Sequence, residues 1–251
     1  MDIVQNFYDN LATQYDKLFM DWQTTVLQQA ELLQTLFVQN GYDKTADILD
    51  CACGIGTQAV GLAKLGFPVT GSDISEKELA EAERRAADNG VSLRLVSADF
   101  CALDKMFEEK FDIMICMDNA LPHMLTREAL QTAVESIIGQ LAPGGMFVAS
   151  IRDYDAMLEN KPSYSPPYIH RTENGQRVSF QTWTWEGEIY RLTQYIIEDE
   201  NTLQVSKFDC AYRAVRREEL TQLLQEAGCR SVEWKFPEET GFYQPIVLAK
   251  K

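Results

Sequence analysis

The stretch Asp47–Asp73, DILDCACGIGTQAVGLAKLGFPVTGSD, constrains this chain more than any other. Ile48 and Leu49 are the apolar body of a short strand of the kind buried in parallel sheets. Gly54-Ile55-Gly56 follows, and glycines there allow a tight turn and close approach of a ligand to the backbone. GTQAVGLAKLG reads as a helix ended by Gly66, and PVTGSD as a second strand closing on Asp73. The stretch is one strand–helix–strand unit with a carboxylate at its end.

The flanking chain extends that unit. Residues 1–44 are predicted to form a helical lid. Its first half is aromatic (Phe7, Tyr8, Tyr15, Phe19, Trp22), and Val26, Leu27, Ala30, Leu33, Leu36 and Phe37 follow at helical spacing. After Asp73, Ser75 is an N-cap with Glu78 three residues on, the pattern of a capping box. That helix ends at Asn89-Gly90. SLRLVSAD and FDIMICMD read as the third and fourth strands, Thr126 caps another helix, and PGGMFVASI turns into the fifth strand. Strands alternating with helices at this spacing predict a doubly wound parallel α/β sheet, its core over residues 45–152. The pattern changes after Arg152. KPSYSPPYIHRTENG is rich in Pro and Tyr, and from Arg177 a period-two alternation predicts three antiparallel strands with turns at Glu186-Gly187 and Glu200-Asn201. Residues 153–207 are thus an antiparallel insertion, and 208–251 return to the core sheet within one compact domain.

At 251 residues the chain can bury a full core. A net charge of -15 argues against nucleic acid or an anionic membrane as partner. No apolar run is long enough to span a bilayer, and MDIVQNFYDN has no signal-peptide pattern, so the expected location is cytoplasmic. Six cysteines without a C-x-x-C pair, and only two histidines, read as reduced, buried thiols and no metal site.

GIGTQA also satisfies the relaxed dinucleotide fingerprint, so the turn by itself fits a nicotinamide dehydrogenase as well. Its neighbours change the balance. Asp50, four residues before Gly54, would oppose a pyrophosphate. Asp73 stands where a carboxylate accepts ribose hydroxyls. Asp99 can accept an exocyclic amine of adenine while Phe100 packs on the ring, and Leu141-Ala142-Pro143-Gly144-Gly145 precedes the fifth strand. Together these describe a cationic adenosyl ligand without phosphates.

The set LDCACGIGTQ, VTGSD, SADF and LAPGG resembles the class I S-adenosylmethionine-dependent methyltransferases over about residues 45–151. The resemblance implies a seven-stranded Rossmann-like sheet with one antiparallel strand, S-adenosyl-L-methionine as cofactor, and a terminal β-α-β unit matched by DCAYRAV, REELTQLLQEAG and YQPIVLAK. YDNLATQYDKLFMDW, CMDNALPHM and IRDYD resemble segments of the glycine and sarcosine N-methyltransferase group. This closer likeness implies N-methylation of a small amine or amino acid; the chain is expected to act as a monomer or homodimer. Asp118 and Asp153 replace that group's glycine and asparagine, and Pro122 precedes the histidine. An added carboxylate would select an amine.

The resemblance implies that Gly54 and Gly56 carry the backbone past the cofactor, with Asp50 and Ala52 also in the cofactor-binding set. Asp73 and Ile74 would hold the ribose, Asp99 and Phe100 the adenine. Met117 would lie near the sulfonium, with Tyr15, Trp22 and His123 around the methionine end. Arg152 would bind an anionic group of the acceptor, and His123, Arg152 and Asp118 are the catalytic candidates. Each has a structural alternative: Asp73 and Asp99 as caps, Arg152 in an ion pair with Asp153 or Asp155, His123 bonded to backbone. Trp183 and Trp185 share one strand face, either as core or as a cation–π wall. A thiol, hydroxyl or carboxyl acceptor, or a non-catalytic module that binds S-adenosylmethionine, stays open beside the amine reading.

Overall fold

The computed structural model describes residues 3–172, 175–198 and 204–251. The chain starts with α1 (Ile3–Leu11), a 3-10 helix (Ala12–Leu18) and α2 (Trp22–Gln39), whose N-cap Asp21 accepts from the Gln23 N–H. The glycine-turn unit follows as β1 (Ile48–Asp50), α3 (Thr57–Lys64) and β2 (Val69–Asp73). All three β1 residues are buried, as a strand covered on both faces must be. Gly61 lets α2 cross α3 closely: a Cβ there would meet the Val26 carbonyl oxygen at 2.5 Å and the Ala30 Cβ at 2.7 Å. α2 therefore belongs to the helical layer over the sheet.

The core continues through α4 (Glu76–Asp88), β3 (Arg94–Ser97), β4 (Phe111–Cys116), α5 (Arg127–Gln140), β5 (Leu141–Ser150) and α6 (Tyr154–Asn160). A second group of strands comes next: β6 (Tyr168–Thr172), β7 (Gly175–Glu186), β8 (Ile189–Ile197) and β9 (Val205–Arg213). The chain ends with α7 (Arg217–Glu226), β10 (Ser231–Lys235), α8 (Pro237–Thr240) and β11 (Ile246–Lys250).

The main sheet has seven strands in the order β10-β11-β5-β4-β1-β2-β3. β1 to β5 pair in parallel, and β11 runs antiparallel to both β5 and β10. Period-two alternation divides its core. On β4, Ile113 and Ile115 pack with Phe37 and Leu62 on one face, while Met114 and Cys116 pack with Val134 and Leu220 on the other. Strand order reverses between β1 and β4, and in open α/β sheets such a switch point opens a crevice at the carboxyl ends of the strands. Asp50, Asp73, Asp99, Met117 and Arg152 all stand at or just beyond those ends.

A four-stranded antiparallel sheet, β6-β7-β8-β9, accompanies the main one. The β7–β8 hairpin turns at Gly187-Glu188, one residue beyond the expected Glu186-Gly187; the turn expected at Glu200-Asn201 lies outside the described residues. Two expectations are corrected. The sheet has a fourth strand, β6, paired antiparallel to β7 after the Pro166-Pro167 step. DCAYR is part of β9 and not of the main sheet. Its alternation sets Cys210 and Tyr212 opposite Leu192 and Tyr190 of β8, an apolar face that packs into the core shared with β4 and β5. SVEWK, where the sequence itself predicts a short strand, is β10 and supplies the outer strand of the terminal unit. Among the described residues no helix is long and apolar enough to cross a membrane.

Candidate functional site

A cleft of about 260 Å³ opens above the carboxyl ends of the parallel strands. Its floor is the glycine turn. Gly54 and Gly56 hold positive φ of 50° and 86°, a region that disfavours side chains. A Cβ on Gly54 would meet the Glu78 Oε2 at 2.6 Å. Asp73 fixes this turn from the end of β2: its Oδ2 accepts the Gly54 N–H at 3.0 Å and its Oδ1 the Ser75 N–H at 2.9 Å. Burial pushes the Asp73 carboxyl up, with those N–H donors pulling the other way.

Ten of the expected residues share this lining: Tyr15, Ala52, Gly54, Asp73, Ile74, Asp99, Phe100, Met117, Asp118 and His123. Four do not line it: Asp50, Gly56, Trp22 and Arg152. Asp50 is fully buried behind the turn, and burial holds its carboxyl well above the usual range. Gly56 is set back as the left-handed N-cap of α3. Trp22 is engaged elsewhere: its indole donates to the Thr57 Oγ1 at 3.1 Å, and the Arg85 guanidinium lies 4.5 Å over its ring. The aromatic that does face the cleft from the N-terminal segment, besides Tyr15, is Tyr8.

A second chamber of about 790 Å³ adjoins the cleft, and Tyr8, Tyr15 and Asp118 line both. Arg152 enters it from the end of β5. Its Nη1 donates to the Tyr190 hydroxyl at 3.1 Å and its Nη2 to the Gln181 Oε1 at 2.9 Å. The guanidinium lies 5.2 Å from the Trp183 ring centroid and 5.7 Å from that of Tyr212. The alternative ion pair with Asp153 or Asp155 is not formed, because Arg217 on α7 takes both carboxylates. Trp183 lines the chamber, whereas Trp185 donates to the Pro162 carbonyl and packs on Tyr190.

Asp118 and Asn119 end β4 in two consecutive left-handed conformations, φ 56° and 72°, which Asp and Asn tolerate better than other side chains. Ser150 at the end of β5 pins both: its Oγ accepts the Asp118 N–H at 2.8 Å and its carbonyl the Asn119 N–H at 3.1 Å. The Asp118 carboxylate accepts from the Tyr243 hydroxyl at 2.7 Å and the Gln58 amide at 2.8 Å. Burial raises its proton affinity and those two donors oppose the rise. The His123 Nε2 lies 2.8 Å from the Tyr8 hydroxyl, and its ring stacks on Tyr212 at 4.2 Å. Tyr8, Gln58, Glu78, Tyr190 and Tyr243 are site residues that sequence reasoning passed over. Glu78 was read as a cap alone, and the others reach the site only through tertiary contact.

The cleft suits an adenosyl sulfonium. Asp73, Glu78, Asp99 and Asp118 line it and no Lys or Arg does, so phosphates would be repelled and a cation favoured. The turn leaves room for backbone contact, and the four carboxylates are acceptors for hydroxyl and amine donors.

Comparison with known proteins shows an S-adenosylmethionine-dependent methyltransferase, and the fold and the cleft agree with it. The family model described as "Methyltransferase domain" matches residues 48–145, and the chain carries that domain. A glycine/sarcosine N-methyltransferase from Halorhodospira halochloris is 24% identical over 229 residues, covering 91% of this chain and 81% of the relative. A methyltransferase structure from Clostridium acetobutylicum aligns with a TM-score of 0.76 at 19% identity, over 97% of this chain and 98% of the other. An amino pentose methyltransferase from Micromonospora echinaspora, solved with S-adenosylmethionine bound, aligns with a TM-score of 0.72 at 21% identity, over 90% and 91% of the two chains. S-adenosyl-L-methionine is the cofactor of this class.

Proposed function

We propose that this enzyme methylates the nitrogen of a small amine or amino acid. The observation that carries the reading is Arg152, a cation in the chamber beside the cleft whose neighbouring carboxylates are both taken by Arg217. A guanidinium held by Tyr190 and Gln181 keeps donors for an acceptor carboxylate and has aromatic faces beside it for the acceptor body. The glycine/sarcosine relative is consistent with such an acceptor.

Bound S-adenosylmethionine supplies an electrophilic methyl group. The chain's own residues do the rest. Arg152 anchors the acceptor, and Asp118, fixed by Gln58 and Tyr243, favours an amine over an anion at the chamber's junction with the cleft. Phe7, Leu11 and Trp183 exclude water from the chamber, which strengthens these contacts. The Tyr8–His123 pair is the proton acceptor within reach of the junction. Within residues 1–44, α1 and the 3-10 helix act as the lid; 45–152 bind the cofactor; 153–207, with the rest of β9, recognise the acceptor; and α7 to β11 complete the main sheet. The reading keeps the acceptor a small molecule, with no nucleic-acid or membrane partner, for a cytoplasmic monomer or homodimer.

The chamber volume favours one refinement. About 790 Å³ is the size of a drug-scale ligand site and far exceeds what glycine fills. An amine larger than glycine, of the scale that the amino pentose enzyme acts on, fits it better. Incubation with labelled S-adenosylmethionine and a panel of amines, amino acids, amino sugars and thiols, read by mass spectrometry, tests the assignment. Label on a thiol or hydroxyl with none on any amine overturns it. Cofactor binding without transfer to any acceptor supports a non-catalytic module.

A further inference from the structure

The far end of the chamber holds a polar group that the fold does not employ. His170 on β6 is 5% exposed and lines the chamber. Neither of its ring nitrogens has a hydrogen-bond partner among the described residues. Buried polar side chains are nearly always paired in folded proteins, and leaving one unpaired is costly. An imidazole held in this way on a chamber wall is equipped for a ligand.

The other polar side chains of that wall are already committed. Gln181 of β7 and Gln194 of β8 pair across the second sheet and both line the chamber. The Gln181 Oε1 accepts from Arg152 at 2.9 Å and from the Trp183 indole at 3.1 Å, and its Nε2 donates to the Gln194 Oε1 at 2.8 Å. The Gln194 Nε2 donates in turn to the Phe180 and Tyr195 carbonyls. These amides hold Arg152 and the wall in place. His170 stands opposite Arg177, which is four residues from Gln181 along β7 and so about 13 Å away at the rise of a strand. Burial, with the Arg177 charge beside it, holds the imidazole below its usual range, and a neutral ring offers one N–H donor and one lone pair. A hydroxyl is itself donor and acceptor and complements both; a hydrocarbon satisfies neither. Arg177 does not line the chamber, and its Nη2 is given to the Phe19 carbonyl. Its charge disfavours an ammonium at this end, whereas Asp118 favours one at the junction with the cleft.

We propose that His170 is a specificity-determining contact for hydroxyl groups of the acceptor, remote from the methylated nitrogen, so that the acceptor is a hydroxylated amine. The proposal rests on the small-amine reading of the chamber and names the substrate class within it. A site built to hydrogen-bond a hydroxyl discriminates strongly against the analogue that lacks one, because its buried groups are then left unpaired.

Ring-nitrogen NMR tests it, because the chain has only two histidines and H170F assigns their signals. Protein carrying isotope-labelled histidine and saturated with S-adenosylhomocysteine is titrated with glucamine, hexylamine and aminocaproate. Glucamine and hexylamine share one carbon chain and one amine and differ in their hydroxyls. Glucamine is expected to shift the His170 ring nitrogens and hexylamine to leave them in place. Calorimetry of the same ligands on wild type, H170F and H170Q is the second arm, with thermal unfolding run on each to verify folding. The ratio of glucamine to hexylamine affinity should fall about tenfold in H170F, the effect of a lost hydrogen bond. It should stay near wild type in H170Q, whose amide keeps a donor and an acceptor. Unmoved His170 signals with glucamine, or an unchanged affinity ratio in folded H170F, would overturn the proposal. Movement of both ring nitrogens toward the imidazolium position with aminocaproate and not with glucamine would overturn it too, and mark an anion subsite. These titrations need no methyl transfer, so failure of the N-methylation reading is seen separately, in the labelled-transfer panel.

Discussion

In the proposed reaction Arg152 and Asp118 would make the substrate contacts, and each is testable alone. R152A removes a guanidinium that touches the chamber and not the lining of the cofactor cleft. It should raise the KM for a carboxylate-bearing acceptor about ten- to hundredfold, the range for lost charged hydrogen bonds. Affinity for S-adenosylhomocysteine should stay within about twofold; R152K should rescue poorly, since lysine lacks the planar fork. Equal steady-state kinetics for R152A and wild type would remove the anchor role. At Asp118, D118N turns one oxygen into a donor facing a Tyr243 or Gln58 donor. It should lower stability by about 1–3 kcal/mol in chemical denaturation, more than Y243F does. Both residues were legible in the sequence from their positions after β5 and β4. Their partners were not. Tyr243 lies 125 residues from Asp118 and Gln58 lies 60 away, and no local pattern encodes contacts at such separations.

At the scale of elements, the N-terminal segment is tied to the rest of the chain by a few polar links, and Tyr8 places it in the cleft lining. Lys17 pairs with Glu198 at the end of β8, Arg177 on β7 donates to the Phe19 carbonyl at 3.0 Å, and Gln5 donates to the Ile74 carbonyl at 3.1 Å. The Lys17–Glu198 pair is partly solvated, so it should contribute at most about 1 kcal/mol to global stability. K17A should leave the unfolding midpoint nearly unchanged yet raise hydrogen exchange in residues 3–21, because local opening is governed by such links. Exchange equal to wild type there, by mass spectrometry, would mean that the lid is held by its apolar face alone. The alternation of strands and helices made the main sheet legible, and capping residues set α4 and α5 correctly. β6 was hidden because Pro166-Pro167 reads as a loop, although proline is tolerated before an edge strand. DCAYR was misplaced because two sheets compete for any short alternating run, and only tertiary burial of Cys210 and Tyr212 decides.

The whole molecule concentrates negative charge, and its stability should depend on pH in a direction that can be derived. The net charge is -15, and the buried Asp50 and Glu78 and the half-buried Asp73 and Asp118 have carboxyls raised, chiefly by desolvation, above ordinary values of 3.8 for Asp and 4.5 for Glu. For an acid raised in the folded state, the folded chain binds the proton more tightly than the unfolded chain. The stability it contributes is fully present below the unfolded pKa and is lost as pH rises through the folded one. The surface carboxylates Asp21, Asp43, Glu81, Glu109 and Asp209 are held below their ordinary values, so their contribution has the opposite sign and is lost as pH falls. Screening weakens that exposed set, and each unit of elevation in a buried group corresponds to about 1.4 kcal/mol. The buried set should therefore dominate from mildly acidic to alkaline pH, and self-repulsion of the net charge acts in the same direction. The midpoint of thermal unfolding without cofactor is expected to peak on the acid side of neutrality and to fall steadily toward pH 9. Salt should raise it most at the alkaline end. D50N removes the buried charge that lies behind the glycine turn, outside the cleft lining, and should flatten the alkaline limb by raising the midpoint at pH 9 more than at pH 5.5. A midpoint that climbs from pH 5.5 to pH 9, or a D50N profile parallel to wild type, would show that these carboxyls do not govern stability, and that the -15 is carried by a surface that screens itself.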